Sequence, residues 1–182
     1  MQGIPFYGIE FANHKIKQIF KFDLKIIFIN LPPGGPNMIN THLLLVDDEE
    51  RFLQTTSNLI KKQKQDFNVM TAPGGQECLE IIKNNNVDVV ILDVKMPGMD
   101  GVEVLREIKK EKPLIEVIML TGHSTTESAV EGMKLGAYDY LLKPCDIKTL
   151  IEKVLIADKR KKDAEERISQ VKIEKIINEK GF

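Results

Sequence analysis

Five short apolar runs alternate with five segments of helical period between residues 43 and 157. The runs are too short for helices, and most are rich in Val, Ile and Leu, as is typical of strands buried on both faces of a parallel sheet. Strict alternation favours right-handed crossovers that place helices on both faces. The pattern predicts an α/β fold with a doubly wound, five-stranded parallel sheet, with strands at 43–46, 67–71, 87–92, 115–120 and 138–142. The helices between them are predicted at 49–64, 73–83, 102–110, 125–135 and 147–157.

The composition is that of a chain that can bury a core and remain in solution. Of 182 residues, 42% are apolar and 29% are charged, which excludes collagen-like, mucin-like and globally disordered chains. A balance of 26 basic against 27 acidic residues gives no strong signal of polyanion binding at the level of the whole chain. The two cysteines exclude a disulfide scaffold and predict reduced thiols in a cytoplasmic protein. The longest uncharged apolar stretch, Ile26–Pro36, is far shorter than the ~20 residues of a membrane span, so no membrane association is expected.

Charge divides the chain into three segments. Residues 1–40 carry +2, residues 41–157 carry −5 and residues 158–182 carry +2. The acidic middle segment holds the alternating pattern, which predicts the folded domain there and an irregular extension at 1–40. Two interpretations of this extension stay open. Either residues 1–37 are a mis-assigned leader and Met38 is the natural start, or they form an arm that packs on the domain or on a partner.

Polar residues whose side chains could bind a metal or take part in a reaction follow four of the predicted strands. Asp47 and Asp48 follow the first strand, Asp93 the third, Thr121 the fourth and Lys143 the fifth. The carboxyl ends of parallel strands meet at one edge of a sheet, where such folds place their sites. Three carboxylates, one hydroxyl and one ammonium are therefore predicted to converge there.

This set of groups suits phosphoryl transfer to a carboxylate. Crowded carboxylates repel unless a cation joins them, and Mg²⁺ prefers oxygen ligands. A carboxylate can attack phosphorus, and the transfer needs neutralised charge and positioning above all. Asp93 stands alone after a buried strand and is the candidate acceptor, whereas the pair Asp47 and Asp48 suits a metal. Taken singly, the acidic pair could be an ordinary helix start and Thr121 an ordinary turn residue; their joint placement favours a site.

Four segments are similar to the receiver domain of bacterial two-component response regulators. They are Leu44–Glu49, Ile91–Gly101, Met119–His123 and Gly136–Pro144, and the resemblance covers roughly residues 41–157. It implies a flavodoxin-like fold with strand order 2-1-3-4-5. It also implies behaviour like that of a chemotaxis regulator, in which phosphorylation of one aspartate changes a surface that partner proteins bind.

The resemblance assigns roles to individual positions. Asp93 would be the phosphoacceptor, and Thr121 and Lys143 would contact the phosphoryl group. Tyr140 matches the aromatic residue that turns inward when the threonine moves, and Pro144 matches a position whose preceding peptide bond is usually cis. The Mg²⁺ ligands would be the carboxylates of Asp47, Asp48 and Asp93 and the backbone carbonyl of Lys95.

Two further positions flank the path of the hydrolytic water in this family. Lys95 lies two residues after the acceptor and His123 two residues after Thr121. The hypothesis is that this bulky pair slows loss of the phosphoryl group. The alternative for His123 is a solvated residue ahead of a helix. Another histidine, His42, carries no motif.

The last 25 residues, 158–182, form a charged tail that is predicted to extend the final helix as an amphipathic helix. Its basic run 158–162 is interpreted as a solvated face in preference to a nucleic-acid patch. The spacing fits heptads poorly because Lys161 and Lys175 fall on the seam, but a docking helix or a homodimer is compatible with it. The tail is too short for a DNA-binding domain, so we expect a stand-alone receiver.

The leading hypothesis is a phosphoacceptor response regulator in a phosphorelay. A sensor histidine kinase or a histidine phosphotransfer protein would donate the phosphoryl group, and the surface of helix 4, strand 5 and helix 5 would contact an unknown target. The chain would catalyse only its own phosphorylation and dephosphorylation. The alternative is a phosphate-independent interaction or dimerisation module. A phosphatase with an Asp nucleophile would need Asp-x-Asp, which Asp93-Val94-Lys95 does not provide.

Overall fold

The computed structural model describes residues 40–63, 66–122 and 126–179. These residues contain one parallel sheet of five strands in the order β2-β1-β3-β4-β5. The strands are β1 (Thr41–Val46), β2 (Phe67–Ala72), β3 (Val89–Asp93), β4 (Glu116–Thr121) and β5 (Asp139–Leu142). The helices are α1 (Glu50–Lys61), α2 (Gly75–Asn84), α3 (Gly101–Glu111), α4 (Thr126–Lys134) and α5 (Ile147–Glu179). The predicted flavodoxin-like fold and strand order are confirmed. The leader or arm at 1–37 and His123 lie outside the described residues.

The three central strands, β1, β3 and β4, are buried on both faces of the sheet. Successive side chains of a strand point in opposite directions, so apolar neighbours enter the two cores in turn. In β1, Leu43 and Leu45 pack with the residues of α1 and α5, including Leu53. Leu44 and Val46 pack on the other face with residues of α2 and α3. The same division holds in β3 and β4, whose residues are all buried. This two-sided burial explains why the central strands read in the sequence as continuous apolar runs.

The start of α3 is held to the loop that follows β3. The side chain of Asp100 accepts hydrogen bonds from the backbone N–H groups of Val102 and Glu103, and the Glu103 carboxylate accepts one from the N–H of Asp100. This capping box satisfies N–H groups that a helix start leaves without partners. The N–H of Gly101 also donates to the carbonyl of Val94 at 2.9 Å. Asp93 is therefore followed by a loop that is fixed at both ends.

The final predicted helix and the tail helix form one continuous helix, α5, of 33 residues and about 50 Å. At about 100° per residue, the apolar side chains of the tail spread over roughly 240° of the helix circumference. All are 41–63% exposed: Ile168, Val171, Ile173, Ile176 and Ile177.

The interpretation of residues 158–162 as a solvated face is wrong for two of them. Asp158 and Lys161 are buried, at 2% and 5% exposure. The reason is that α5 continues past the amino-terminal ends of the strands, where the buried Asp88 meets the Lys161 ammonium.

Among the described residues, none of the helices combines the length and the apolar character that a membrane span requires.

Candidate functional site

A cleft of about 470 Å³ opens at the carboxyl ends of the strands. β1 and β3 are neighbours there, although the chain visits β2 between them, and ligands bind beside such topological switch points. Six of the predicted site residues line the cleft: Asp48, Asp93, Lys95, Thr121, Lys143 and Pro144. Asp47 is almost completely buried and reaches the same site through its contact with Lys143.

Asp93 is the last residue of β3 and is 6% exposed. One carboxylate oxygen, Oδ1, lies 2.9 Å from the Lys143 ammonium. The other, Oδ2, accepts a hydrogen bond of 2.8 Å from the backbone N–H of Lys95. Both oxygens are therefore oriented, while the residue still borders the cleft.

Lys143 joins the two buried carboxylates. Its Nζ contacts Asp47 Oδ2 as well as Asp93, and it lies 4.3 Å from the centroid of the Phe52 ring. Burial alone would lower the pKa of Lys143, but its hydrogen bonds to Asp47 and Asp93 outweigh burial and raise the pKa above its ordinary value. The side chain is thus a cation at neutral pH, and its position is set by the fold because its backbone N–H donates to the Thr121 carbonyl at 2.7 Å.

Asp47 experiences the opposite balance. Burial raises the pKa of its carboxyl group, and this outweighs the hydrogen bonds from Lys143 and from the backbone N–H of Glu49. The nearby charge of Asp93 raises the pKa further. Relative to the same groups in water, the site therefore disfavours the ionised form of Asp47 but favours the ionised form of Lys143. The difference arises because Lys143 has two carboxylate partners, whereas the almost fully buried Asp47 shares one ammonium with Asp93.

The oxygen-bearing side chains of the cleft are of the kind that binds a hard divalent cation. Three carboxylates, those of Asp47, Asp48 and Asp93, accompany one ammonium, and Asp48 is exposed at the cleft. Among residues 40–63, 66–122 and 126–179, no three acidic, histidine or cysteine side chains converge closely enough to hold a metal alone. Mg²⁺ commonly takes one or two carboxylates and completes its shell with a carbonyl and waters. A shell of that mixed kind suits these residues.

The remaining predicted residues lie around this centre. Thr121 ends β4 and is buried at the back of the cleft. Tyr140, in β5, is partly buried, and its hydroxyl lies 3.3 Å from Ser128 Oγ in α4. The peptide bond between Lys143 and Pro144 is cis.

Four residues that line the cleft are not among the predicted site residues: Glu49, Phe52, Gly122 and Cys145. The centroid of the Phe52 ring lies 4.3 Å from the Lys143 ammonium. Its place in the first turn of α1, four residues after Asp48, is the signal that could have identified it. Cys145 borders the cleft, and burial, with a smaller effect of Asp146, raises the pKa of its thiol.

Comparison with known proteins identifies the family. The model of the response regulator receiver domain matches residues 43–155, more than half of the chain. The chain belongs to the response regulator receiver domain family. This receiver domain is 39% identical over 119 residues to the transcriptional regulatory protein ZraR of Escherichia coli K12, covering 64% of this chain and 26% of ZraR. It is 42% identical over 118 residues to a putative NtrX-like response regulator of Rickettsia typhi, covering 63% of this chain and 24% of that protein.

The solved structures show the same fold. A response regulator receiver domain from Clostridium thermocellum superposes with a TM-score of 0.63 at 40% identity, covering 67% of this chain and 97% of that one. The match to the curated relatives is confined to part of their length, since this chain spans about a quarter of ZraR and of the NtrX-like protein.

Proposed function

We propose that this receiver domain is a phosphoacceptor response regulator in which Asp93 receives a phosphoryl group from a phosphohistidine. The donor would be a sensor histidine kinase or a histidine phosphotransfer protein. A carboxylate oxygen of Asp93 attacks phosphorus, the phosphorus–nitrogen bond breaks, and its electron pair stays on the imidazole nitrogen, which takes up a proton. The observation that carries the proposal is the Asp93 carboxylate, which borders the cleft with its oxygens held by Lys143 and by the N–H of Lys95.

Mg²⁺ is the proposed cofactor. Asp47, Asp48, Asp93 and the backbone carbonyl of Lys95 would hold it. When bound, it would neutralise charge on the phosphoryl oxygens, which is the main requirement of such a transfer. Its support is the composition of the site, where the carboxylates of Asp47 and Asp93 share the Lys143 ammonium and Asp48 lines the same cleft.

The output would pass through the face formed by α4, β5 and α5. Lys143 and the Thr121 hydroxyl would contact the phosphoryl group, and Tyr140 would move with Thr121, shifting the population between two states. Tyr140 already contacts α4 through Ser128. This face exposes four apolar side chains that a protein partner could cover: Val130, Met133, Leu142 and Ile156.

The proposed activity is stoichiometric. The domain would accept one phosphoryl group at a time and lose it by hydrolysis, so the only reactions it would catalyse are its own phosphorylation and dephosphorylation. Its proposed location is the cytoplasm, in keeping with the free thiols of Cys78 and Cys145. The matched relatives are named as transcriptional regulators, so transcription is a proposed end point of the signal.

Incubation of the protein with acetyl phosphate and Mg²⁺ is expected to add the mass of one phosphoryl group. The adduct should form because Asp93 is oriented and borders the cleft, and it should be absent from Asp93→Asn and in the presence of a chelator. Intact mass spectrometry measures it. Asp163→Asn, the same change at an exposed position of α5, is the matched control and should retain the adduct.

The result separates the candidate functions. Continuous release of phosphate from small phosphoesters would indicate a hydrolase. If acetyl phosphate and a phosphorylated histidine donor both leave the mass unchanged, the phosphoacceptor proposal fails. The phosphate-independent interaction or dimerisation module would then be favoured, and homodimer formation by the unmodified protein would be the next measurement.

The lifetime hypothesis remains a prediction. Replacing Lys95 with alanine, alone and together with His123→Ala, should speed the first-order loss of the phosphoryl mass several-fold. The reason is that Lys95 is an exposed long side chain at the cleft beside Asp93, where it would obstruct the attacking water. Unchanged decay in both variants would contradict the hypothesis, and Lys134→Ala, at an exposed position on α4, serves as a control.

A further inference from the structure

The amino-terminal ends of the three central strands carry a second polar cluster. His42 is the second residue of β1, Asp88 directly precedes β3, and Glu116 begins β4. Each lies five residues before a residue of the phosphoacceptor site. At about 3.3 Å per residue the two sites are about 17 Å apart, at opposite ends of the same strands. We call His42, Asp88, Glu116, Arg160 and Lys161 the basal cluster.

The centre of the basal cluster is a buried ion pair. Lys161 Nζ lies 2.8 Å from Asp88 Oδ1, and both side chains are 5% exposed. The other oxygen of Asp88 accepts a hydrogen bond from the His42 backbone N–H at 2.8 Å and lies 3.0 Å from His42 Nδ1. Burial alone would raise the pKa of Asp88, but the hydrogen bonds from Lys161 and His42 lower it. Both carboxylate oxygens are thus satisfied, as a buried charge requires.

The neighbouring basic residues of α5 are also paired. Arg160 Nε lies 3.2 Å from the nearly buried Glu116 carboxylate, and its guanidinium lies 5.7 Å from the Tyr138 ring centroid. Lys162 pairs with Asp158 at 2.7 Å. All of these α5 residues lie beyond residue 155, where the family match ends. Farther along α5, residues 166–179 are all exposed.

We propose that the basal cluster is an intramolecular docking site that fixes the direction in which α5 leaves the domain. Residues 158–165 would then belong to the folded receiver, and residues 166–179 would be a rigid arm. A buried ion pair tolerates little displacement, because separating its partners leaves a charge without compensation. Partners of the arm would therefore be presented in a set orientation at the end of the sheet opposite Asp93. The inference does not depend on phosphoryl transfer.

The test measures the distance distribution between a spin label on α2 and one on the arm. Labels are attached to Lys83→Cys and Ser169→Cys in the full chain, with Cys145→Ser; burial raises the pKa of the Cys78 thiol to about 12, so it resists labelling at neutral pH. We expect one narrow distance peak. Lys161→Met should abolish that peak, whereas Lys172→Met, which changes an exposed lysine of the arm, should leave it.

Further variants keep the test decisive. Lys161→Met leaves Asp88 buried without its cation, and if that variant does not fold, Asp88→Asn with Lys161→Met removes both charges together and should still broaden the peak. Far-UV circular dichroism confirms that the domain is folded in each case. A broad distribution in the unmodified chain, or a narrow peak that survives removal of both charges, would overturn the proposal.

Discussion

Gly101→Ala is expected to lower the free energy of unfolding by about 2–4 kcal/mol, toward the upper end of what overpacking costs. A Cβ at this position would lie 2.1 Å from the Asp93 carbonyl oxygen and 2.8 Å from the Val94 Cα. Both atoms belong to the backbone, so neither can rotate away, and α3 must move from β3. Denaturant unfolding measures the loss. Because Asp93 sits on the displaced strand end, formation of its phosphoryl adduct should also slow.

Gly132 provides a matched comparison. It lies within α4, and a Cβ there would come no closer than 3.5 Å to Met119, whose side chain is flexible. Gly132→Ala should be neutral or stabilise the domain by up to about 1 kcal/mol, since alanine is the better helix former. If the two alanine variants unfold at the same denaturant concentration, the proposed close approach at Gly101 is wrong.

Lys143→Met is expected to reduce the free energy of unfolding by about 2–4 kcal/mol at pH 7, because it leaves two buried carboxylates without their shared cation. Asp47 and Asp93 are 1% and 6% exposed, so water cannot replace the ammonium well. The Phe52 ring also loses its cation contact at 4.3 Å. Added Mg²⁺ should restore part of the loss, because a ligand that binds only the folded state stabilises it by mass action. Thermal melts with and without Mg²⁺ measure both effects.

The pH dependence of this loss has a definite sign. Since the folded pKa of Asp47 is raised, its ionisation destabilises the fold, and removal of Lys143 raises that pKa further. The cost is absent when the carboxyl is protonated in both states, so the difference between the variant and the unmodified protein should shrink as the pH falls toward about 4. The raised pKa of Lys143 confines its own contribution to pH values below that pKa.

Lys153 is the control for this prediction. It also forms an ion pair, with Asp139 at 2.7 Å, but its side chain is 39% exposed. Lys153→Met should leave the unfolding midpoint unchanged with and without Mg²⁺, because water solvates the carboxylate that remains. If both lysine variants melt alike, the Lys143 ammonium does not stabilise the cleft.

Much of the fold could be predicted because its signals are local. The apolar runs of β3 and β4 are buried on both faces, so their sequences are almost free of polar residues between their ends. Element boundaries differed by a few residues where caps decide them. Asp100, for example, starts α3 at Gly101, one residue before the apolar periodicity begins.

The candidate site could be placed for the same reason. Parallel strands bring their carboxyl ends to one edge, so polar residues directly after the runs had to meet. The contacts between individual side chains of the site could not be predicted from strand-end position. Lys143 and Asp47 are 96 residues apart, and the contact depends on the relative heights of β1 and β5. Phe52 likewise joins the cleft only because α1 packs on the same face as α5.

The sequence alone determined the sheet, its strand order by resemblance, and the residues at its carboxyl edge, because period and strand-end position are properties of short segments. Tertiary structure decided what happens at the opposite edge. Asp88 and Lys161 look like ordinary charged residues in the sequence, one beside a strand and one in a basic run. They become a buried pair only because α5 continues past the amino-terminal ends of the strands. Because water cannot reach these buried side chains, either charge without its partner would be strongly destabilising. No local pattern of residues in the sequence encodes this pairing.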